Sequence, residues 1–189
     1  MATAPPVYLP KTLRITEEQF LELVKANPEL RFEQTATGEL TVMPPTGGET
    51  GRQNAQLILR LGIWNEAAQL GEIFDSSTGF RLPNGAIRSP DVAWVAKDRW
   101  RSLTPEERCG FAPLCPDFVI ELASPSDSLE TLSAKMQECI ENGCRLGWLI
   151  APELRFVEIY RPNRPAQRCA LPLELAGEDV LLNFTLKIE

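Results

Sequence analysis

Apolar positions recur along this chain with two different periods. After Thr16 the run EEQFLELVKAN has one apolar face and ends near Pro28, so it predicts a short helix, and Thr16 with Gln19 forms a capping-box start. LRFEQTATGELTVM contains two short alternating runs around Thr37-Gly38, the pattern of a hairpin. Between Glu49 and Leu70, the residues Leu57, Leu61, Trp64 and Ala68 fall at helical spacing, which predicts the longest helix, closed by Gly71. The period then shortens. EIFD and GFRLP frame a turn, PDVAWVA follows the turn signal Asn84-Gly85, and PDFVIELA is a compact apolar strand. The polar, proline-broken stretch from Lys97 to Pro113 predicts short helices and loop. Helical spacing returns over residues 128 to 142, with Leu129, Leu132, Met136, Cys139 and Ile140 on one side. RLGWLIA and RFVEIYR form a strand pair around Pro152, and residues 166 to 189 supply two or three more strands. This order of helices and strands predicts an α/β domain with a central mixed sheet flanked by helices.

The size of the chain fits that picture. Its 189 residues, 43% of them hydrophobic, can bury a sizeable core without staples. No internal repeat or long low-complexity linker divides them, so residues 1 to 189 read as one domain. Residues 1 to 14, with three prolines, are expected to form an arm over its surface. Nineteen basic residues against 26 acidic ones give a net charge of −7, which argues against holding nucleic acid by bulk charge and leaves a local basic groove open. No apolar run reaches the roughly 18 residues of a membrane span, and the first residues lack the apolar centre of a secretory signal. A cytoplasmic protein without membrane attachment is the expectation.

Two absences narrow the chemistry. The chain has no histidine, which removes serine–histidine and cysteine–histidine mechanisms and histidine-ligated zinc. Its five cysteines, Cys109, Cys115, Cys139, Cys144 and Cys169, never form a C-x-x-C pair and read as reduced thiols, mostly core filler. Catalysis would rest on carboxylates, lysines, hydroxyls and hard cations.

PDFVIELASPSD is the informative stretch. Glu121 sits between Ile120 and Leu122 at the centre of an apolar strand, where an isolated buried charge costs several kcal/mol unless paired or metal-bound. Two readings are open: a functional buried carboxylate, or an outward side chain on a half-exposed strand. Asp91, after Pro90 and at the head of PDVAWV, is the second candidate, against plain turn chemistry. Carboxylates from neighbouring strands can converge at one sheet end and hold Mg²⁺ through oxygen, with waters completing the octahedron. Such a cation can activate water and neutralise a phosphodiester, a reaction that needs no histidine. Asp117 opens the same strand, on the face of Glu121 but roughly 13 Å away along an extended chain, beyond the span of one metal; it reads as strand-start turn chemistry. Ser124, Ser126 and Asp127 are placed to cap the next helix, or to contact a phosphate. Arg52, Arg60, Arg81 and Arg88 are either groove cations or surface ion-pair partners, and the four tryptophans read as core or interface.

SPDVAWV, a spacer of roughly two dozen residues, then PDFVIELASPSDS, Lys135 and WLIAP resembles the Uma-two (Uma2) family of restriction endonucleases, within the PD-(D/E)XK nuclease superfamily. ELTVMPPTGGETGRQNAQL and VEIYRP extend the similarity from about residue 13 to about residue 162. The resemblance implies a restriction-endonuclease-like core and hydrolysis of DNA phosphodiesters with Mg²⁺ or Mn²⁺. It implies Asp91 and Glu121 as metal ligands, the main-chain carbonyl of Leu122 as a further one, and Glu49 at the head of the long helix as an additional acid. Glu49 also suits a helix N-terminus on its own account. The superfamily's E-x-K places a lysine two residues after the glutamate, and here that position is Ala123. Lys135, where the Uma-two pattern carries a lysine, would take its part from the following helix and stabilise the attacking water or the developing phosphate charge, as against a solvated helix lysine. The pattern's tyrosine, aspartate and histidine correspond to Cys139, Ala151 and Thr50.

Three functions follow. The first, adopted here, is a metal-dependent DNA endonuclease with Asp91, Glu121 and Lys135 as catalytic residues, working as a homodimer to cut both strands. The second is a degenerate nuclease fold that binds or regulates a partner, consistent with Ala123 and the acidic balance. The third, a two-carboxylate glycosidase, would require aromatic cleft walls that 7% aromatic residues do not suggest.

Overall fold

The computed structural model describes residues 13–189, so most of the expected N-terminal arm lies outside the described residues. The architecture is organised by β7 (Phe118–Leu122), whose five residues are all buried. It runs antiparallel to β6 (Val92–Ala96) on one side and parallel to β8 (Leu146–Ala151) on the other. Parallel neighbours need a crossover, and α5 (Leu129–Glu141) provides it. β3 (Gly71–Asp75), β9 (Phe156–Tyr160) and β10 (Gln167–Ala170) complete a six-stranded mixed sheet in the order β10-β9-β8-β7-β6-β3. The expected α/β sheet flanked by helices is the fold observed.

Strand alternation gives this sheet two distinct faces. Phe118, Ile120 and Leu122 meet Leu57 and Leu61 of α2 (Gly48–Ala68). The same face is covered by the closing hairpin, β11 (Leu173–Ala176) and β12 (Thr185–Ile188), through Leu175, Phe184 and Leu186. Phe184 stacks on Trp148 with ring centroids 6.1 Å apart. Val119 and Leu149 face the other way, toward Met136, Cys139 and Ile140 of α5. Three of the five cysteines are buried there, as core filler.

A second, four-stranded layer stands at the edge of the main sheet. Its order is β2-β1-β5-β4, from β1 (Arg31–Gln34), β2 (Leu40–Met43), β4 (Phe80–Arg81) and β5 (Ile87–Arg88). β1 and β2 are the expected hairpin, with Gly38 at φ 86°, a left-handed conformation that glycine adopts freely. α1 (Glu17–Ala26) packs Phe20 against Phe32 and Ile87 of this layer, and its capping box forms as the sequence predicts. Lys97 to Pro113 holds two five-residue helices, α3 (Lys97–Arg101) and α4 (Pro105–Cys109).

Two local expectations are corrected. Gly71 does not close the long helix: α2 ends at Gln69, which takes the left-handed conformation at φ 56° and donates its backbone N–H to the Asn65 carbonyl. Gly71 instead begins β3, where a Cβ would strike the Trp94 ring and the Val95 carbonyl. The cap of α5 is Ser128, whose hydroxyl accepts from the Thr131 N–H, while Asp127 accepts from the Ser124 N–H within the preceding turn. Because the obstacle at Gly71 includes backbone, Gly71→Ala is expected to destabilise the fold by about 1–3 kcal/mol in urea unfolding.

Candidate active site

Alternation on β7 sends Glu121 to the α5 face together with Val119, so the strand carboxylate points inward. The β6–β7 register pairs Val92 with Ile120, and one step further it sets Asp91 opposite Glu121. Side chains so placed have Cβ atoms about 4.5–5.5 Å apart. The two sequence-predicted carboxylates therefore converge at one end of the sheet. Asp91 stands just before β6, and its two oxygens have different partners. Oδ2 accepts the Leu122 backbone N–H at 2.8 Å, and Oδ1 accepts the Asn54 side-chain amide of α2 at 3.2 Å.

Lys135 is not on a solvated helix face. It shares the buried side of α5 with Met136 and Cys139, and its Nζ lies 2.7 Å from Oε1 of Glu121. Ala123, two residues after Glu121, shares that face, so the ammonium arrives from the helix on the side where the strand lysine is missing. Lys135 Nζ is also 2.7 Å from Oε1 of Glu33 on β1 and donates to the Ser89 carbonyl at 3.2 Å. Glu33, Glu121 and Lys135 are 3%, 4% and 7% exposed, so the ion pairs are shielded from water.

Glu33 was invisible to the sequence reading, though its signal has the same form as that of Glu121: a carboxylate in a strand. Glu33 lies between Phe32 and Gln34 in RFEQ, without the apolar residue on each side that marks Glu121. In the fold, Glu33 also accepts the Ser89 backbone N–H at 2.8 Å and pairs with Arg88 at 3.3 Å. Arg88 in turn pairs with Glu138 of α5 at 2.6 Å. It is thus a half-buried link between the hairpin layer and α5, neither a surface partner nor a groove cation.

The acidities follow from these contacts. Burial raises the pKa of Glu121 to about 8, more than the Lys135 ammonium lowers it, with Asp91 and Glu33 adding repulsion. Burial also raises Asp91, against the Leu122 N–H and Lys135. Burial pulls Glu33 the same way, but Lys135 and Arg88 prevail and hold it below the ordinary carboxylate value. Burial acts against the Lys135 ammonium too, and Glu121 and Glu33 outweigh it, so Lys135 stays charged. Glu121 is the group of this cluster least satisfied in its ionised form. Its buried Oε1 lacks an aligned hydrogen bond even with Lys135 beside it, and Oδ1 of Asn54 is likewise buried without a partner.

Other candidates lie apart. Glu49 is at the exposed head of α2, where it binds Arg52 at 2.5 Å and Gln53 at 3.2 Å, and Asn54 is the residue of that helix that touches Asp91. Asp117 accepts the Ala96 N–H at 2.9 Å and pairs with Arg99 at 3.0 Å, holding the start of β7. Arg81 pairs with Glu17. Among the described residues no group of three or more acidic or cysteine side chains gathers as a metal cage. A hard cation here would draw on Asp91, Glu121, backbone carbonyl and water. That sparse oxygen set fits Mg²⁺, with Oε1 of Glu121 already facing the Lys135 ammonium.

The fold is a mixed α/β sheet flanked by helices, with an acidic pair and a buried lysine at one sheet end. The chain belongs to the Uma2 family, whose description reads "Putative restriction endonuclease" and whose pattern matches residues 17–189. Among solved structures, a "putative nuclease belonging to DUF820" from Anabaena variabilis superposes with a TM-score of 0.77 at 21% identity, covering 92% of this chain and 94% of that one. No curated protein matches the chain. Among the described residues no helix is long and apolar enough to cross a membrane.

Removing the ammonium leaves two carboxylates buried together. Lys135→Ala is expected to cost about 3–5 kcal/mol in urea unfolding, and adding Glu121→Gln to recover part of that loss.

Proposed function

We propose that this protein is a metal-dependent endonuclease that hydrolyses phosphodiester bonds in DNA. The observation that carries the reading is the convergence of Asp91 and Glu121 at one sheet end with the Lys135 ammonium 2.7 Å from Glu121. In this proposal Asp91, Glu121 and the main-chain carbonyl of Leu122 hold Mg²⁺ or Mn²⁺, and waters fill the remaining positions. When bound, the cation supplies a more acidic water and offsets charge on the phosphodiester. The Leu122 N–H and Asn54 keep the Asp91 carboxylate aimed. Lys135, held charged by its two carboxylates, stabilises the attacking water or the charge growing on the phosphate. The proposal includes action in the cytoplasm as a homodimer, since a duplex presents two antiparallel strands to cut.

A second reading, a degenerate nuclease fold that binds a partner, is favoured by one feature of the same site. Both Asp91 oxygens are already engaged, and the Lys135 ammonium occupies the side of Glu121 that a cation would approach. Metal affinity separates the two. Calorimetric titration with Mn²⁺ and plasmid nicking are expected to show binding and cleavage in the wild type. Asp91→Asn and Glu121→Gln should each weaken both by at least about 100-fold. A folded wild type that takes up no Mn²⁺ would overturn the nuclease reading in favour of the second.

A further inference from the structure

We infer that Glu33 is a positioning residue of the active site, holding the Lys135 ammonium as a second anionic partner when a cation engages Glu121. The inference rests on the nuclease reading above and assigns a role to a residue of the hairpin layer, outside the main sheet. Lys135 Nζ stands 2.7 Å from one oxygen of Glu33 and 2.7 Å from one oxygen of Glu121. These distances are equal, but the two carboxylates are not equivalent. Glu33 is fixed by two further contacts, the Ser89 N–H at 2.8 Å and Arg88 at 3.3 Å. Glu121 meets the ammonium through Oε1, an oxygen with no aligned hydrogen bond of its own.

A divalent cation on Glu121 would repel an ammonium only a few ångströms away. With Glu121 as its sole anion, Lys135 would have to leave, lose its proton, or exclude the metal. Glu33 resolves that conflict because its charge is not needed by the cation. It leaves the Lys135 ammonium an anionic partner beside the reacting phosphate when a cation takes up Glu121. The Ser89 carbonyl at 3.2 Å fixes a third direction for the ammonium. Arg88 and Glu138 tie Glu33 to α5, so helix and hairpin move as one support.

The test compares wild type, Glu33→Gln and Glu33→Asp by Mn²⁺ calorimetry, single-turnover plasmid nicking and urea unfolding. Glu33→Gln keeps the shape and the Ser89 contact but removes the charge. It is expected to weaken Mn²⁺ binding by about tenfold or more, the equivalent of one pKa unit of lost charge compensation, and to slow cleavage at saturating Mn²⁺. Glu33→Asp should restore part of both. A purely structural Glu33 would instead lower urea resistance while folded protein bound Mn²⁺ and cut as the wild type does, which would overturn the inference alone. Absence of Mn²⁺ binding in the wild type would overturn the nuclease reading and this inference together.

Discussion

A buried ammonium shared by two carboxylates sets the terms for the rest of this site. Lys135 is charged in a place where burial opposes charge, and Glu121 and Glu33 are what make that tenable. The main sheet, the crossover helix and the hairpin layer each contribute one member, so none of the three can shift far without stranding a charge. The cost of such an arrangement is high and its net contribution to stability is small, because desolvation offsets much of the attraction. What it provides is position. Asp91 is fixed by the backbone of β7 and Glu121 by the strand itself, so the acidic pair is as rigid as the sheet that carries it.

The imbalance among the carboxylates gives the site its chemical character. Glu33 is well satisfied, whereas Asp91 and Glu121 are both raised by burial. Two carboxyls whose ionised forms burial disfavours stand beside one ammonium that favours them.

Much of the fold was legible because its periodicities are clean. The alternating runs around Gly38 and Pro152 and the helical spacing of Leu57 and Leu61 all appear as the pattern requires. The misread boundary at Gly71 came from treating glycine as helix punctuation, when its use here is to let a strand pass an indole ring. In the site, Glu121 could be seen because apolar neighbours frame it, and Asp91 because it heads the adjoining strand. Glu33 and Arg88 could not, since each has an apolar residue on one side only and their partners lie 102 and 50 positions away along the chain. Lys135 could be placed on a helix, but which face of that helix met the sheet was decided by packing of Met136 and Cys139.

The closing hairpin has a consequence for how the chain is made. Phe184 lies on Trp148, and Trp64 of the long helix donates its indole N–H to the Leu182 carbonyl at 3.0 Å. The core face of β7 opposite Glu121 is thus roofed by residues synthesised after the strand itself. During translation the strands bearing Asp91 and Glu121 emerge with that face uncovered, and apolar surface of this kind invites misassembly until it is buried. Residues 173 to 188 complete the apolar backing of the strand that carries Glu121.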